Sequence, residues 1–245
     1  MTFDMYPYRK SSTILAVLLL PAELQAGGPE QTVAALRDSG QRAALLADEN
    51  FADESLRNLY LSSLPAEYGQ FAGLSVAEAA AANSCPAGEW ALDLLVSTGL
   101  KAGAHLDRPT LAESHLTWLA ANDLHCAGSD GIYQGQHPHP RGYGAFARLA
   151  GLYLADGSGP GYQRLARHLA ANAAEVYGLD KRGRLAPGMA ADICVIGPHG
   201  ITDNATYGKP RMLATGVSLV IVNGAIAWRD AAHNAGSFPG QLVTN

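Results

Sequence analysis

The 245-residue sequence is poor in cysteine, in charge and in long apolar runs. Each scarcity closes a class of function. Its three cysteines, Cys85, Cys126 and Cys194, are odd in number, far apart and form no CxxC pair. A disulfide framework and a zinc ribbon are therefore not expected, and a reducing compartment is. Only 16% of residues are charged, with 17 basic against 22 acidic and a net charge of −5. That balance lacks the basic footprint that nucleic acids or anionic membranes demand. No stretch approaches the roughly 20 apolar residues needed to span a bilayer. Arg9 and Lys10 ahead of the apolar run 14–20 imitate a secretory leader. The run is short, Asp4 is acidic where a leader is basic, and polar and turn-forming residues precede it. Against these absences stands a hydrophobic content of 48%, enough for a buried core. A soluble, globular, cytoplasmic protein is the expectation.

Along the chain, residues 2–8 read as a short strand ending at a Pro-containing turn. Residues 30–38 suit a helix ending at Gly40, and 41–60 continue as a mixed helical segment. Ser75 followed by Glu78 has the capping-box spacing, in which hydroxyl and carboxylate each satisfy a free backbone amide. Two further helices are expected, one carrying Trp90, Leu94 and Leu95 on one face and one between Thr110 and Asn122. Residues 124–127 read as a short buried strand, and QHPHPRGYG as an irregular loop. YQRLARHLAANAAEVYG is the clearest helix, stopped by Gly178. Beyond Arg184 short apolar runs alternate with Gly, Pro and Asn. Asn223-Gly224 is a strong hairpin signal, since both residues tolerate positive φ. The chain divides into an α/β part, 1–182, and an all-β part, 183–245.

Four groups of residues carry candidate chemistry. Asp130, in Gly128-Ser129-Asp130-Gly131, follows the strand 124–127, where barrel enzymes place catalytic groups. The same four residues also suit an ordinary Asp turn. Arg141, in His139-Pro140-Arg141-Gly142, offers a guanidinium fork that matches a carboxylate, or is a surface arginine. Tyr6 and Ser12 lie around a strand end where hydroxyls reach a substrate, or where a serine caps the next helix. His137 and His139 have metal-pair spacing, but no strand precedes them to align the imidazoles, so metal binding is not expected there. His125 and Cys126 read as core residues on opposite faces of a strand.

Taken together, DMYPYRKSST, GSDG, HPRGYGAFARL, EVYGLDKRG, PGMAADICVI and GVSLVIVNG resemble the amidohydrolase superfamily. Within it they resemble the D-aminoacylase (N-acyl-D-amino-acid deacylase) family, over most of the chain and in the family's order. The resemblance implies an α/β fold: the C-terminal portion of a (β/α)₈ barrel, strands seven and eight with a long helical insertion, plus part of a small β-sandwich. It implies zinc-assisted hydrolysis of an N-acyl-D-amino acid. Asp130 is similar to the family's essential aspartate and possible metal ligand, and Arg141 to the arginine that grips the α-carboxylate. Tyr6 and Ser12 are similar to residues that help hold that carboxylate. The family's His-x-His, metal-binding Cys and two later histidines precede its YPY element. Only five residues precede Tyr6 here, so the zinc ligand set is incomplete. The expectation is a chain inactive by itself, the C-terminal subunit of a split enzyme with a complementary N-terminal chain, or a non-catalytic remnant. A hydantoinase-like amidohydrolase is a further alternative, disfavoured by the carboxylate-seeking Arg141.

Overall fold

In the computed structural model, which describes residues 1–154, 159–197, 199–229, 232–233 and 238–243, the chain is mixed α/β. Strand β1 (Phe3–Met5) is shorter than expected, because Pro7 cannot donate to a ladder. Then β2 (Ser11–Ile14) runs directly into α1 (Leu15–Leu19). After α2 (Ala22–Gln25), α3 (Pro29–Ala35), α4 (Ser39–Leu46) and α5 (Asp53–Arg57) comes β3 (Leu59–Ser63). Next are α6 (Val76–Ala82), α7 (Ala87–Ser97), β4 (Gly103–Leu106), α8 (Glu113–Ala120) and β5 (His125–Ala127). The remainder is α9 (Arg141–Leu154), α10 (Gly159–Ala166), a π-helical segment Arg167–Ala171, α11 (Asn172–Val176), and strands β6 (Ile193–Ile196), β7 (Val217–Val222), β8 (Ala225–Arg229) and β9 (Ala232–His233).

The site is positioned by β1 and β5, which pair in parallel with Phe3 opposite His125 and Met5 opposite Ala127. Their carboxyl ends lead into Tyr6 and into the Gly128–Gly131 turn. Between them lies an antiparallel sheet of order β2-β4-β3, hidden from sequence reading because each strand is four or five residues long. Residues 59–60, read as helical, open β3, with Leu59 and Leu61 facing inward at 3% and 0% exposure. The apolar run that imitates a leader is core: Leu15, Ala16, Leu19 and Leu20 are buried with Leu61, Val76, Leu92, Leu94 and Leu95. Each such leucine contributes roughly 1.5–3 kcal/mol by leaving water. The Ser75–Glu78 capping box forms in both directions at the start of α6.

One further expectation needs correction. HPRGYG is not all loop: Arg141 opens α9, with Pro140 just ahead of the helix, where its missing N–H costs nothing. The helix read over 162–178 forms as expected, running from α10 through a π-helical turn into α11, and that turn sets buried His168 beside β5. Gly178 ends it at φ 66°.

Strands β6, β7, β8 and β9 form one antiparallel sheet in that order. The β7–β8 turn uses Asn223 and Gly224 at φ 47° and 82°. Asp192 accepts from the Asn223 backbone N–H at 2.8 Å and pairs with Arg182. No helix among the described residues is long and apolar enough to cross a membrane.

Candidate functional site

The carboxyl ends of β1 and β5 converge on Arg141. Its side chain is buried, at 1% exposure, although it begins a helix. Nε donates to the Asp130 carbonyl oxygen at 2.7 Å, and Nη2 pairs with Asp130 Oδ2 at 2.7 Å. Nη2 also donates to the Ser12 carbonyl at 3.4 Å, and the guanidinium carbon lies 4.4 Å from the Tyr6 ring centroid. The structure thus brings together all four residues singled out from sequence: Asp130, Arg141, Tyr6 and Ser12. It assigns them unexpected atoms. Tyr6 offers its ring face, Ser12 its backbone carbonyl, and Asp130 both carbonyl and carboxylate. Ser12 lies on β2 and does not cap α1, whose N-cap is Ile14.

One edge of the guanidinium is therefore taken, and Nη1 is buried with no hydrogen-bond partner in the protein. An orphaned, buried, charged donor is costly unless something accepts from it. The backbone at Asp130 is itself unusual, with φ 45°, the left-handed region. At the neighbouring Gly128 a Cβ would stand 2.8 Å from Asp4 Oδ2, so a larger residue there would displace the Asp4 carboxylate.

The start of α9 is locked by His139, which sequence reading set aside. Its Nδ1 accepts from the Arg141 backbone N–H at 3.0 Å, so Nε2–H donates to the Lys10 carbonyl at 2.9 Å. The ring is fully buried in a box made by Tyr6, Tyr8, His105 and Tyr207, with ring centroids 5.2–5.9 Å away. Burial, then the neighbouring His105 and Arg141, hold its pKa down at about 3. Burial likewise holds His105 at about 4. Residues 203–211 brace this box. Tyr8 donates to Asp203 Oδ2 at 2.6 Å, Tyr207 approaches His139, and Arg211 donates to the carbonyls of Gly135 and Gln136. The signal for His139 was the motif itself; its role as a hydrogen-bonding pillar needed the Lys10 carbonyl, 129 residues away.

His105, His139 and Asp130 are engaged within the protein itself. His139 spends both nitrogens, His105 spends Nε2 on the His137 carbonyl, and the Asp130 carboxylate lies on Arg141. Among the described residues no group of three or more His, Cys, Asp or Glu is placed to hold a metal ion. His125 and Cys126 are buried as expected, but His125 joins Tyr153 and His168 in a polar cluster.

Comparison with known proteins places the chain in a family. A family model described as "Amidohydrolase family" matches residues 30–227. The N-acyl-D-glutamate deacylase of Alcaligenes xylosoxydans xylosoxydans is 30% identical over 166 residues, 67% of this chain and 33% of that protein. The D-aminoacylase of the same organism is 39% identical over 117 residues, 47% of this chain and 24% of that one. The crystal structure of N-acyl-D-glutamate deacylase from Bordetella bronchiseptica, complexed with zinc and a phosphonate inhibitor, is 26% identical with a TM-score of 0.68. It is matched over 92% of this chain and 39% of its own. A D-aminoacylase structure, reported for its binuclear metal centre, gives a TM-score of 0.69 at 26% identity, over 96% of this chain and 41% of that one. The chain spans a quarter to two fifths of the length of these relatives.

Proposed function

Because this chain belongs to the amidohydrolase family, we propose that it supplies the carboxylate-binding part of an N-acyl-D-amino-acid deacylase active site. One observation carries the reading. A buried arginine presents an unpartnered Nη1 at the carboxyl ends of two parallel strands, beside a largely exposed aspartate. A guanidinium fork is the natural match for an α-carboxylate, and Asp130 and Ser12 hold it in place. The Tyr6 ring covers its face. Asp130 is the proton carrier: its carboxylate takes a proton from the attacking water and delivers it to the leaving amide nitrogen. The C–N bond then breaks to give a carboxylic acid and a D-amino acid. In this reading β1 and β5 are the last two strands of a (β/α)₈ barrel, residues 1–182 its C-terminal part, and 183–245 a sandwich segment.

Zinc is bound in the Bordetella bronchiseptica relative. Here Asp130 is the one family-matching ligand among the described residues, so the chain by itself neither holds catalytic zinc nor turns over. A second reading follows from the edges of β1 and β5. Each pairs only with the other among the described residues, and an open parallel pair invites more strands. A complementary chain that supplies those strands and the remaining ligands would complete the site. The test of carboxylate binding is titration with N-acetyl-D-glutamate and its α-methyl ester. The acid should bind at least tenfold tighter, and Arg141→Met should erase the difference. Equal binding of acid and ester by the unaltered chain overturns the reading. Chelator-sensitive release of D-amino acid by the purified 245-residue chain overturns the inactivity.

A further inference from the structure

Nη1 of Arg141 is buried as well as unpartnered. A carboxylate reaches it only after part of its cover moves. The segment joining Asp130 to Arg141 is fixed at one end and loosely held at the other. The Arg141 end is pinned to β3. Gln136 uses its side-chain amide as a strand uses its backbone, accepting from the Leu64 N–H at 3.1 Å and donating to the Leu64 carbonyl at 2.9 Å. His137 N–H donates to the Ser62 carbonyl at 2.9 Å. Gly135, at φ 92°, approaches so closely that a Cβ would stand 2.8 Å from the Ser62 carbonyl oxygen. Arg211 holds the carbonyls of Gly135 and Gln136 as well.

The Asp130 end has no such anchor. Residues 131–134 make no backbone hydrogen bond among the described residues. Asp130 itself, at φ 45°, is in a conformation that a residue other than glycine keeps only under constraint. Besides the two bonds from Arg141, the contact that holds this stretch is aromatic. The ring of Tyr133, 57% exposed, lies across the two glycines that follow the paired residues. A Cβ on Gly131 would stand 2.9 Å from its hydroxyl oxygen and 3.2 Å from Cε2. A Cβ on Gly142 would stand 3.0 Å from Cε1. Opposite edges of one ring thus touch the residue after Asp130 and the residue after Arg141. The Tyr143 ring braces it edge-on, with centroids 5.5 Å apart. The Tyr133 hydroxyl makes no hydrogen bond among the described residues, so the ring does the holding.

We propose that Tyr133 is a latch: its ring clasps the Gly131 backbone to the start of α9 and so keeps Asp130 on Arg141. When the ring swings out, residues 131–134 move about the pinned Gly135. Asp130 then leaves the guanidinium, which is uncovered on that side. Tyr133 is in this sense a positioning residue. That the opening admits a substrate carboxylate rests on the function proposed above; the latch itself does not.

Hydrogen exchange at the Arg141 Nε–H, which donates to the Asp130 carbonyl at 2.7 Å, reports the latch in the whole chain labelled with ¹⁵N at arginine. Tyr133→Ala should speed that exchange about tenfold or more. The Arg141 backbone N–H, bonded to His139 Nδ1 at the pinned end, should keep its rate. Tyr133→Phe, which retains the ring, should behave as the unaltered chain. The latch is overturned if Tyr133→Ala leaves the Nε–H rate within about twofold. It is also overturned if the backbone N–H accelerates equally, since α9 would then have unravelled, or if Tyr133→Phe behaves as Tyr133→Ala. Calorimetric titration reads what the opening is for. N-acetyl-D-glutamate should bind Tyr133→Ala about threefold tighter, because more of the chain is already open. Unchanged or weaker binding overturns that gating role. Equal binding of the acid and its α-methyl ester overturns the carboxylate reading instead, while the exchange rates alone decide the latch.

Discussion

Acidification from pH 7.5 to 5 should remove about 4 kcal/mol of stability through two buried histidines alone. In the unfolded chain a histidine titrates near 6.5. In the fold His105 is held at about 4 and His139 at about 3, mainly by burial. Both folded values are depressed, so the unfolded chain binds the extra protons. The stabilising contribution is complete above the unfolded pKa and is lost as pH falls below it. At pH 5 an unfolded histidine is almost fully protonated and these two, folded, are nearly neutral. Each costs 1.5 pH units at about 1.36 kcal/mol per unit, or about 2 kcal/mol. His125 and His168, also lowered by burial, add in the same direction. Glu78 acts on the same side of the balance but only below the carboxylate range, so the window from 6.5 to 5 isolates the histidines. Against a typical net stability of 5–15 kcal/mol the loss is large. Urea unfolding at pH 7.5, 6 and 5 measures it. With an m-value of about 2–3 kcal/mol/M the midpoint should fall by roughly 1–2 M. Replacing His105 and His139 together by Gln should lower stability at pH 7.5 but flatten the dependence. A midpoint that stays constant or rises from pH 7.5 to 5 refutes the reasoning.

Three smaller perturbations test other parts of the fold and site. Ser75→Ala deletes the hydroxyl that accepts from Glu78 N–H at 3.1 Å and should cost about 1 kcal/mol in urea unfolding. Asn223→Gly keeps the left-handed backbone but loses the side-chain hydrogen bonds to Arg182 and to the Pro239 carbonyl, and should cost about 1–2 kcal/mol in urea unfolding, while Asn223→Val at φ 47° should cost about 1–2 kcal/mol more. Asp130→Asn removes a negative charge next to Arg141 and should tighten N-acetyl-D-glutamate binding about three- to tenfold, read by calorimetric titration. Unchanged affinity there would mean that ligand carboxylates bind elsewhere.

The residues that meet around Arg141 stand out in the sequence, but the atoms they use do not. GSDG and HPRG marked Asp130 and Arg141 because chemistry restricts residue type. That the Ser12 carbonyl, not its hydroxyl, meets Arg141 depends on β2 pairing with β4, with Ser12 opposite His105. No local pattern encodes that pairing: SSTI and GAHL are too short to show alternation. The helical start at Arg141 was masked by Gly142 and Gly144, which argue for loop. Gly144 is there for another reason, since a Cβ would collide with Asp203 and the Tyr8 hydroxyl. Where propensity and pattern agreed, as at Ser75–Glu78 and Asn223–Gly224, the sequence reading and the structure coincide.

The pairing of Arg141 with Asp130 bears directly on how the proposed site works. A guanidinium this deeply buried needs an anion close by, and removing one from a buried pair costs several kcal/mol. Asp130 supplies it at 2.7 Å, yet its own side chain is 64% exposed. Water therefore stabilises the aspartate whether or not it touches the arginine, so the bond is cheap to exchange from its side. The arginine has more to lose, and Nη1 leaves it a second edge. A substrate carboxylate arriving there would neutralise the buried cation and reduce its hold on Asp130. The aspartate would then be freed for proton transfer only when a carboxylate-bearing substrate is in place. Binding and proton transfer are in this way coupled through one guanidinium, and the neutral Asp130→Asn variant should bind tightly and yet be unable to carry the proton.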